Sequence, residues 1–214
     1  MPTAAIKICG INTAASLDAA IKARADHVGF VFFARSPRYI DPVTATQLGA
    51  RGEGRIGKVG LFVDADDVLL GEAVGGAGLT AIQLHGAESP ERAAAIRARF
   101  ALPVWKAISV TGAQDVARAR AYEGAADLIL FDAKTPAGTL PGGMGLSFDW
   151  SLVAHWKGPL AWGLAGGLTP GNVAEAVRLT GAKLVDTSSG VESAPGVKDD
   201  QLIASFCRAV RAAG

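Results

Sequence analysis

The sequence predicts an α/β fold, a (β/α)8 TIM barrel in a single domain over residues 1–214, on three observations. Short β-rich runs recur, opening near Ala4, His27, Gly57, Leu79, Leu102, Asp127, Leu160 and Ala182 at intervals of 22 to 33 residues. Helically patterned stretches lie between them, and strands alternating with helices argue for βαβ units and a parallel sheet. Eight units of about 25 residues fill roughly 200, the compact end of the barrel class. The competing open, doubly wound sheet usually carries a glycine fingerprint at its first βα turn. Here that turn reads Ile8-Cys9-Gly10-Ile11-Asn12, without GxGxxG.

The elements follow in order. In the first strand (AAIKICG, from Ala4) Lys7 and Cys9 share parity and face the barrel interior, while Ile6 and Ile8 face the helix layer. The helix Thr13–Ala25 leads to HVGFVFF from His27, and Asp41 before Pro42 starts the helix Pro42–Ala50. GKVGLFV from Gly57 precedes the helix Ala65–Gly75, and LTAIQLHG from Leu79 precedes Ser89–Arg99. In that helix Ser89 sits before Pro90 as a start signal, and Ala93, Ile96 and Phe100 mark the side facing the sheet. LPVWKAISV from Leu102 is followed by Ala113–Tyr122, and DLILFD from Asp127 by Phe148–Trp156. LAWGLAGG from Leu160 leads to Pro170–Thr180, started by Thr169, and AKLVDTSSG from Ala182 leads to Asp199–Ala213. A P-loop look-alike, Gly52–Lys58 (GEGRIGK), fails because Val59 replaces the magnesium-binding hydroxyl and the run precedes its strand.

Composition excludes several functions. A net charge of +1 gives no sign-biased field for nucleic acid or an anionic membrane, so neither is expected as a partner. Half the residues are apolar and 19% charged, which excludes a disordered chain. Cys9 and Cys207 are too isolated for a disulfide framework or a cysteine zinc site. His27, His85 and His155 share no metal-ligand spacing, so no metal is expected. No apolar run approaches the ~20 residues of a membrane span. Met1-Pro2-Thr3 runs straight into the first strand without a leader pattern, and a cytoplasmic protein, monomer or homodimer, is expected.

In a barrel, chemistry collects at the C-terminal ends of the strands. Strand 1 ends at Cys9, ordinarily a small buried filler. Lys7 one layer down would favour a thiolate, which is a competent base or nucleophile. Strand 6 closes its apolar run with Asp132, where desolvation would keep a proton available near neutral pH; the plainer alternative is a cap or an ion pair with Lys134. Strand 4 ends at Gln83-Leu84-His85, with His85 more ordinarily a satisfied structural histidine. Gly166-Gly167 after strand 7, and Asp186-Thr187-Ser188-Ser189-Gly190 at strand 8, are anion-friendly loops in the two positions where this fold holds phosphates. After strand 2, Arg35 and Arg38 are surface arginines unless one forks onto a ligand carboxylate. The loop Thr135–Gly145 is long enough to be a mobile cover. The residues thus describe a cofactor-free barrel for a small phosphorylated molecule, with an acid–base pair and a carboxylate grip.

These motifs together resemble the phosphoribosylanthranilate isomerase family of tryptophan biosynthesis. The matching stretches are Ile6–Ile11, Gly29–Phe32 with Ser36–Ile40, Gln83–Gly86, Leu130–Asp132, Gly142–Gly145 leading to Phe148–Trp150, Gly166–Leu168 with Asn172-Val173, and Asp186–Glu192. The resemblance implies an Amadori rearrangement of N-(5-phosphoribosyl)anthranilate to 1-(2-carboxyphenylamino)-1-deoxyribulose 5-phosphate, without a cofactor. It implies Asp132 as general acid, Cys9 as general base and Arg38 on the anthranilate carboxylate. It places the phosphate at Gly166, Gly167, Ser188 and Ser189, with Lys7, Gln83, His85 and Asp186 lining the site. The chain departs from the family pattern at Thr187, where Val is usual, at Met144, where a small hydroxyl residue is usual, and at Ala165, where Ser is common. Two alternatives stay open: the sister Amadori isomerase of histidine biosynthesis, and a non-catalytic phosphosugar-binding barrel. The first would carry an Asp where Cys9 stands, and the second has no need of Cys9 and Asp132.

Overall fold

The structure is a computed structural model and describes residues 4–133, 149–154 and 156–214. Eight parallel strands close into a barrel in chain order. They are β1 (Ala5–Cys9), β2 (His27–Val31), β3 (Gly57–Phe62), β4 (Ala81–Leu84), β5 (Val104–Val110), β6 (Leu128–Ala133), β7 (Ala161–Leu164) and β8 (Leu184–Thr187). The ring is closed by β1 against β8, in the register Ala5↔Leu184, Lys7↔Asp186 and Ile8↔Thr187. The connecting helices are α1 (Ala14–Lys22), α2 (Pro42–Arg51), α3 (Asp67–Ala77), α4 (Pro90–Phe100), α5 (Ala113–Arg118), α6 (Ser151–Ala154), α7 (Val173–Thr180) and α8 (Asp200–Ala212).

Strand parity sorts the side chains into two cores. Ile6, Ile8, Phe30, Phe62 and Ile82 point outward and pack with Leu17, Ile96 and Phe206 of the helices. The inward residues form layers up the barrel axis, as this fold requires. At the bottom Val59, Ala81, Trp105, Leu130 and Leu184 make an apolar plug. Above it the register sets Lys7 beside Asp186, a buried ion pair with Nζ–Oδ2 at 2.9 Å. At the top Cys9 packs with Val31 and Leu61. The mouth of the barrel therefore rests on a charged layer, and that layer rests on an apolar one.

The start signals Asp41 and Ser89 act as read, and Thr13 plays the same part for the first helix. The Thr13 side chain accepts from Ser16 N, Asp41 from Thr44 N and Ser89 from Arg92 N. At the seventh helix the reading from Thr169 is corrected. Asn172 Oδ1 accepts from Thr169 N at 2.7 Å and its Nδ2 donates to Gly167 O at 2.9 Å, which ties residues 169–172 into a turn. The helix accordingly begins at Val173. The fifth helical stretch breaks after Arg118 into a 3-10 turn over Ala119–Tyr122, and the sixth is described only over Ser151–Ala154. Ala93 and Ile96 are buried under α4 as expected, whereas Phe100 is only partly covered. The proposed cover Thr135–Gly145, with Lys134, Met144 and His155, lies outside the described residues.

One element has no counterpart in the sequence reading. A small antiparallel hairpin, β9 (Glu192–Ala194) with β10 (Val197–Lys198), stands between β8 and α8. Cys207 on α8 is buried, and burial pushes its thiol up to about 11, so it is an inert part of the helix layer. Among the described residues no helix is long and apolar enough to cross a membrane.

Candidate active site

A cavity opens at the C-terminal ends of the strands, where this fold places its small-molecule sites. It is lined by Cys9 from β1, Arg38 from the loop after β2, and Gln83 and His85 from the end of β4. Asp132 lines it from β6, and Gly166, Gly167, Asp186, Ser188 and Ser189 from the ends of β7 and β8. Phe33, Leu61 and Val63 give it an apolar flank. Lys7 does not line it; its side chain is 0% exposed and lies one layer beneath.

Lys7 and Cys9 meet because Gly29 makes room for them. A Cβ at Gly29 would lie 2.8 Å from Cys9 Sγ and 3.1 Å from Lys7 Nζ, and Gly29 is the register partner of Cys9 on β2. The Lys7 ammonium hydrogen-bonds Asp186; burial pulls it down, but Asp186 and the nearby Cys9 hold it above its ordinary value. For Cys9 the balance differs from the sequence expectation. Burial pushes its thiol up, Lys7 and Lys198 pull it down, and burial prevails. Lys7 does favour the thiolate, but it does not outweigh the loss of water.

Asp132 lies three strands from Cys9 around the ring, in the order β6-β7-β8-β1. Its Oδ1 accepts from Ala133 N at 2.8 Å, and its Oδ2 is 3.2 Å from His85 Nε2. His85 Nδ1 in turn lies 3.2 Å from Gln83 Nε2. The histidine read as ordinarily structural is thus coupled directly to the carboxyl group at the strand end. Two buried polar atoms at the cavity, Gln83 Oε1 and Asp186 Oδ1, have no hydrogen-bond partner among the described residues. A ligand hydroxyl would satisfy either.

The two anion-friendly loops are tied together. Gly166 and Gly167 adopt φ +82° and +63°, a left-handed pair that glycine takes at little steric cost. Thr187 Oγ1 donates to Leu168 O at 2.7 Å, and Ser188 Oγ donates to Cys9 O at 3.1 Å. The first bond gives the unusual Thr187 a function that Val could not supply. Thr187→Val is expected to cost about 1 kcal/mol by leaving the Leu168 carbonyl without that donor. An equilibrium urea titration reads this as a lower midpoint at unchanged slope.

Of the two arginines after β2, Arg35 is exposed while Arg38 is nearly buried. Arg38 is held in a bidentate pair, its Nε and Nη2 each 2.7 Å from an oxygen of Glu192. Glu192 and the neighbouring Lys198 were missed as site residues because they come from the unforeseen hairpin. Glu192 closes the matching stretch Asp186–Glu192, but nothing in that stretch gives it a role, and a lone lysine at 198 carries no spacing signal. Among the described residues no group of three or more His, Cys, Asp or Glu could hold a metal ion.

The profile of the family described as N-(5'phosphoribosyl)anthranilate (PRA) isomerase matches residues 6–209. The chain belongs to that family. A relative from Zymomonas mobilis subsp. pomaceae, named N-(5'-phosphoribosyl)anthranilate isomerase, is 52% identical over 206 residues, 96% of this chain and 97% of that one. The crystal structure of phosphoribosyl anthranilate isomerase from Thermotoga maritima is similar with a TM-score of 0.87 and 35% identity, covering 98% of this chain and 99% of that one. A further phosphoribosyl anthranilate isomerase structure, in complex with reduced 1-(o-carboxyphenylamino)-1-deoxyribulose 5-phosphate, has a TM-score of 0.85 and 33% identity over 98% and 99% of the two chains. Between the two Amadori isomerases left open by the sequence, the family match decides for the isomerase of tryptophan biosynthesis.

Proposed function

We propose that this family member converts N-(5'-phosphoribosyl)anthranilate to 1-(2-carboxyphenylamino)-1-deoxyribulose 5-phosphate in the cavity described, with Asp132 as general acid and Cys9 as general base. The observation that carries the reading is the meeting of Cys9, Asp132 and Arg38 with both glycine–serine loops around one cavity. A barrel that only bound a phosphosugar would need neither the thiol nor the carboxyl group.

The chemistry runs without loss or gain of atoms. Asp132 gives its proton to the furanose ring oxygen as the bond from that oxygen to C1′ breaks. The aniline nitrogen lone pair fills the gap and leaves an iminium at C1′. The iminium acidifies the C2′ hydrogen, which the Cys9 thiolate removes. The released electron pair forms the C1′–C2′ double bond and neutralises the nitrogen. The resulting enolamine then ketonises, with the C2′ hydroxyl losing its proton and C1′ gaining one. The substrate nitrogen supplies the electron push, so this reading calls for no cofactor.

Arg38 takes the anthranilate carboxylate, and the backbones of Gly166, Gly167, Ser188 and Ser189 take the phosphate. Fixed at both ends, the sugar is held between acid and base, where orientation contributes to rate. Gln83 Oε1 and Asp186 Oδ1, without a hydrogen-bond partner among the described residues, suit the sugar hydroxyls. The reading takes the chain as one domain, and a cytoplasmic location agrees with two buried free thiols.

The test is the loss of anthranilate-type fluorescence when purified protein meets the substrate. Turnover is expected in the presence of a chelator at the rate seen without it. No turnover at micromolar enzyme would overturn the assignment, and chelator-sensitive turnover would overturn the mechanism.

A further inference from the structure

The hairpin β9–β10 makes no strand of the barrel, yet it is fastened to the loop that carries Arg38. Its turn residue Gly196 packs so closely on that loop that a Cβ there would lie 2.3 Å from Pro37 O. Asn12 Nδ2 donates to Gly196 O at 3.3 Å, fixing the same turn from the β1 side. The hairpin thereby delivers two nearly dry ionic side chains beside the cavity: Glu192 is 4% exposed and Lys198 is 0% exposed.

Glu192 is held from several directions. Oε1 accepts from Arg38 Nε and from Lys198 Nζ, both at 2.7 Å. Oε2 accepts from Arg38 Nη2 at 2.7 Å and from Gly196 N at 3.3 Å. Lys198 Nζ also donates to Ser188 O at 3.0 Å and Ser188 Oγ at 3.2 Å. One chain of contacts therefore runs from Arg38 through Glu192 and Lys198 to the phosphate-side loop.

We propose that Glu192 and Lys198 are positioning residues for substrate recognition: Glu192 sets the plane and reach of the Arg38 guanidinium toward the substrate carboxylate, and Lys198 holds Glu192 in place. This rests on the assignment of Arg38 to that carboxylate. The opposite arrangement, in which Glu192 occupies Arg38 until the substrate carboxylate displaces it, conflicts with the contacts. Releasing Glu192 would strand the Lys198 ammonium in a dry site and undo the hairpin turn as well. Burial alone pushes the Glu192 carboxyl up, yet Arg38 and Lys198 together bring it below its ordinary value, so it is an anion that stays.

The test uses two substrates, N-(5'-phosphoribosyl)anthranilate and its carboxylate-free analogue N-(5'-phosphoribosyl)aniline. Glu192→Gln sets an amide nitrogen against an arginine donor and removes the charge that fixes it. It is expected to raise KM for the anthranilate substrate about tenfold, with kcat within about threefold and KM for the aniline analogue unchanged. Glu192→Asp, which keeps the charge and so guards against a folding failure, should fall between wild type and Glu192→Gln. Lys198→Met should act in the same direction as Glu192→Gln. A lower KM for the anthranilate substrate in Glu192→Gln would show that Glu192 competes with substrate, and would overturn the proposal. An equal loss on both substrates would reduce the clamp to a structural tie, which also overturns it. Arg38→Met separates the layers. If Arg38→Met affects both substrates alike, the carboxylate assignment fails and takes the proposal with it. If it discriminates and Glu192→Gln does not, only the proposal fails.

Discussion

Asp132→Asn is expected to lower kcat by about two orders of magnitude or more, and Cys9→Ser to do the same, since positioned acids and bases typically contribute 10² to 10⁴-fold. Both changes nearly conserve shape. The side-chain amide of the Asp132→Asn variant can still accept from Ala133 N, which now donates to Asp132 Oδ1, but an amide has no acidic proton for the ring oxygen. The Cys9→Ser variant keeps the small buried volume but replaces the thiol with a far weaker acid, which is scarcely ionised at the pH of the assay. Neither residue is assigned to the phosphate or the carboxylate, so KM should move little. The two variants stall at different bonds, and this separates their roles. With deuterium at C2′, Cys9→Ser should show a primary isotope effect on kcat, because proton removal has become slowest. Asp132→Asn should show none, because ring opening precedes the labelled bond. Wild-type turnover in both variants would dismiss the acid–base assignment, and the reversed isotope pattern would exchange the roles.

The barrel was legible because its signal is repetitive: eight apolar runs at regular spacing average out local errors. The layers inside it were legible from strand parity, which sets Lys7 and Cys9 on the inner face and Ile6 and Ile8 on the outer. Position at a strand end marked Cys9, Asp132 and the two loops. Pairings that join distant segments were not legible. The bond from His85 to Asp132 links residues on β4 and β6, and the clamp on Arg38 joins residues 154 apart in sequence. Neither leaves a spacing pattern, because the geometry exists only after the ring has closed. The start of α7 was misread for a different reason. Thr169-Pro170 reads as a helix start, but the Asn172 side chain captures the turn backbone first. The charge state of Cys9 needed burial as well as neighbours. Lys7 was visible in the sequence, while the extent of desolvation that opposes it was not.

Lys7→Met is expected to lower kcat/KM by about tenfold or more, although Lys7 itself does not line the cavity. The active form needs the Cys9 thiol ionised and Asp132 protonated. At a pH below the thiol's own value the ionised fraction falls about tenfold for each unit the thiol rises. Burial already holds the Cys9 thiol above its ordinary value, and Lys7 is the leading influence pulling it back. Removing Lys7 therefore raises the thiol further. The sign follows: kcat/KM drops at neutral pH, and the part of its pH profile that the thiol governs moves to higher pH. The charge change also strands Asp186, and breaking one half of a buried pair costs about 3–5 kcal/mol. Lys7→Met with Asp186→Asn removes both charges and should recover most of that stability. It should leave Cys9 still raised, because Lys7 outweighs Asp186 in its effect on the thiol. Alkylation of Cys9 by iodoacetamide across pH, in a Cys207→Ser background, reads the thiol without reference to turnover. A titration midpoint identical in wild type and Lys7→Met would show that the buried ammonium serves the barrel interior alone. A midpoint shifted upward, alongside a lowered kcat/KM, ties the charged layer beneath the cavity to the base above it.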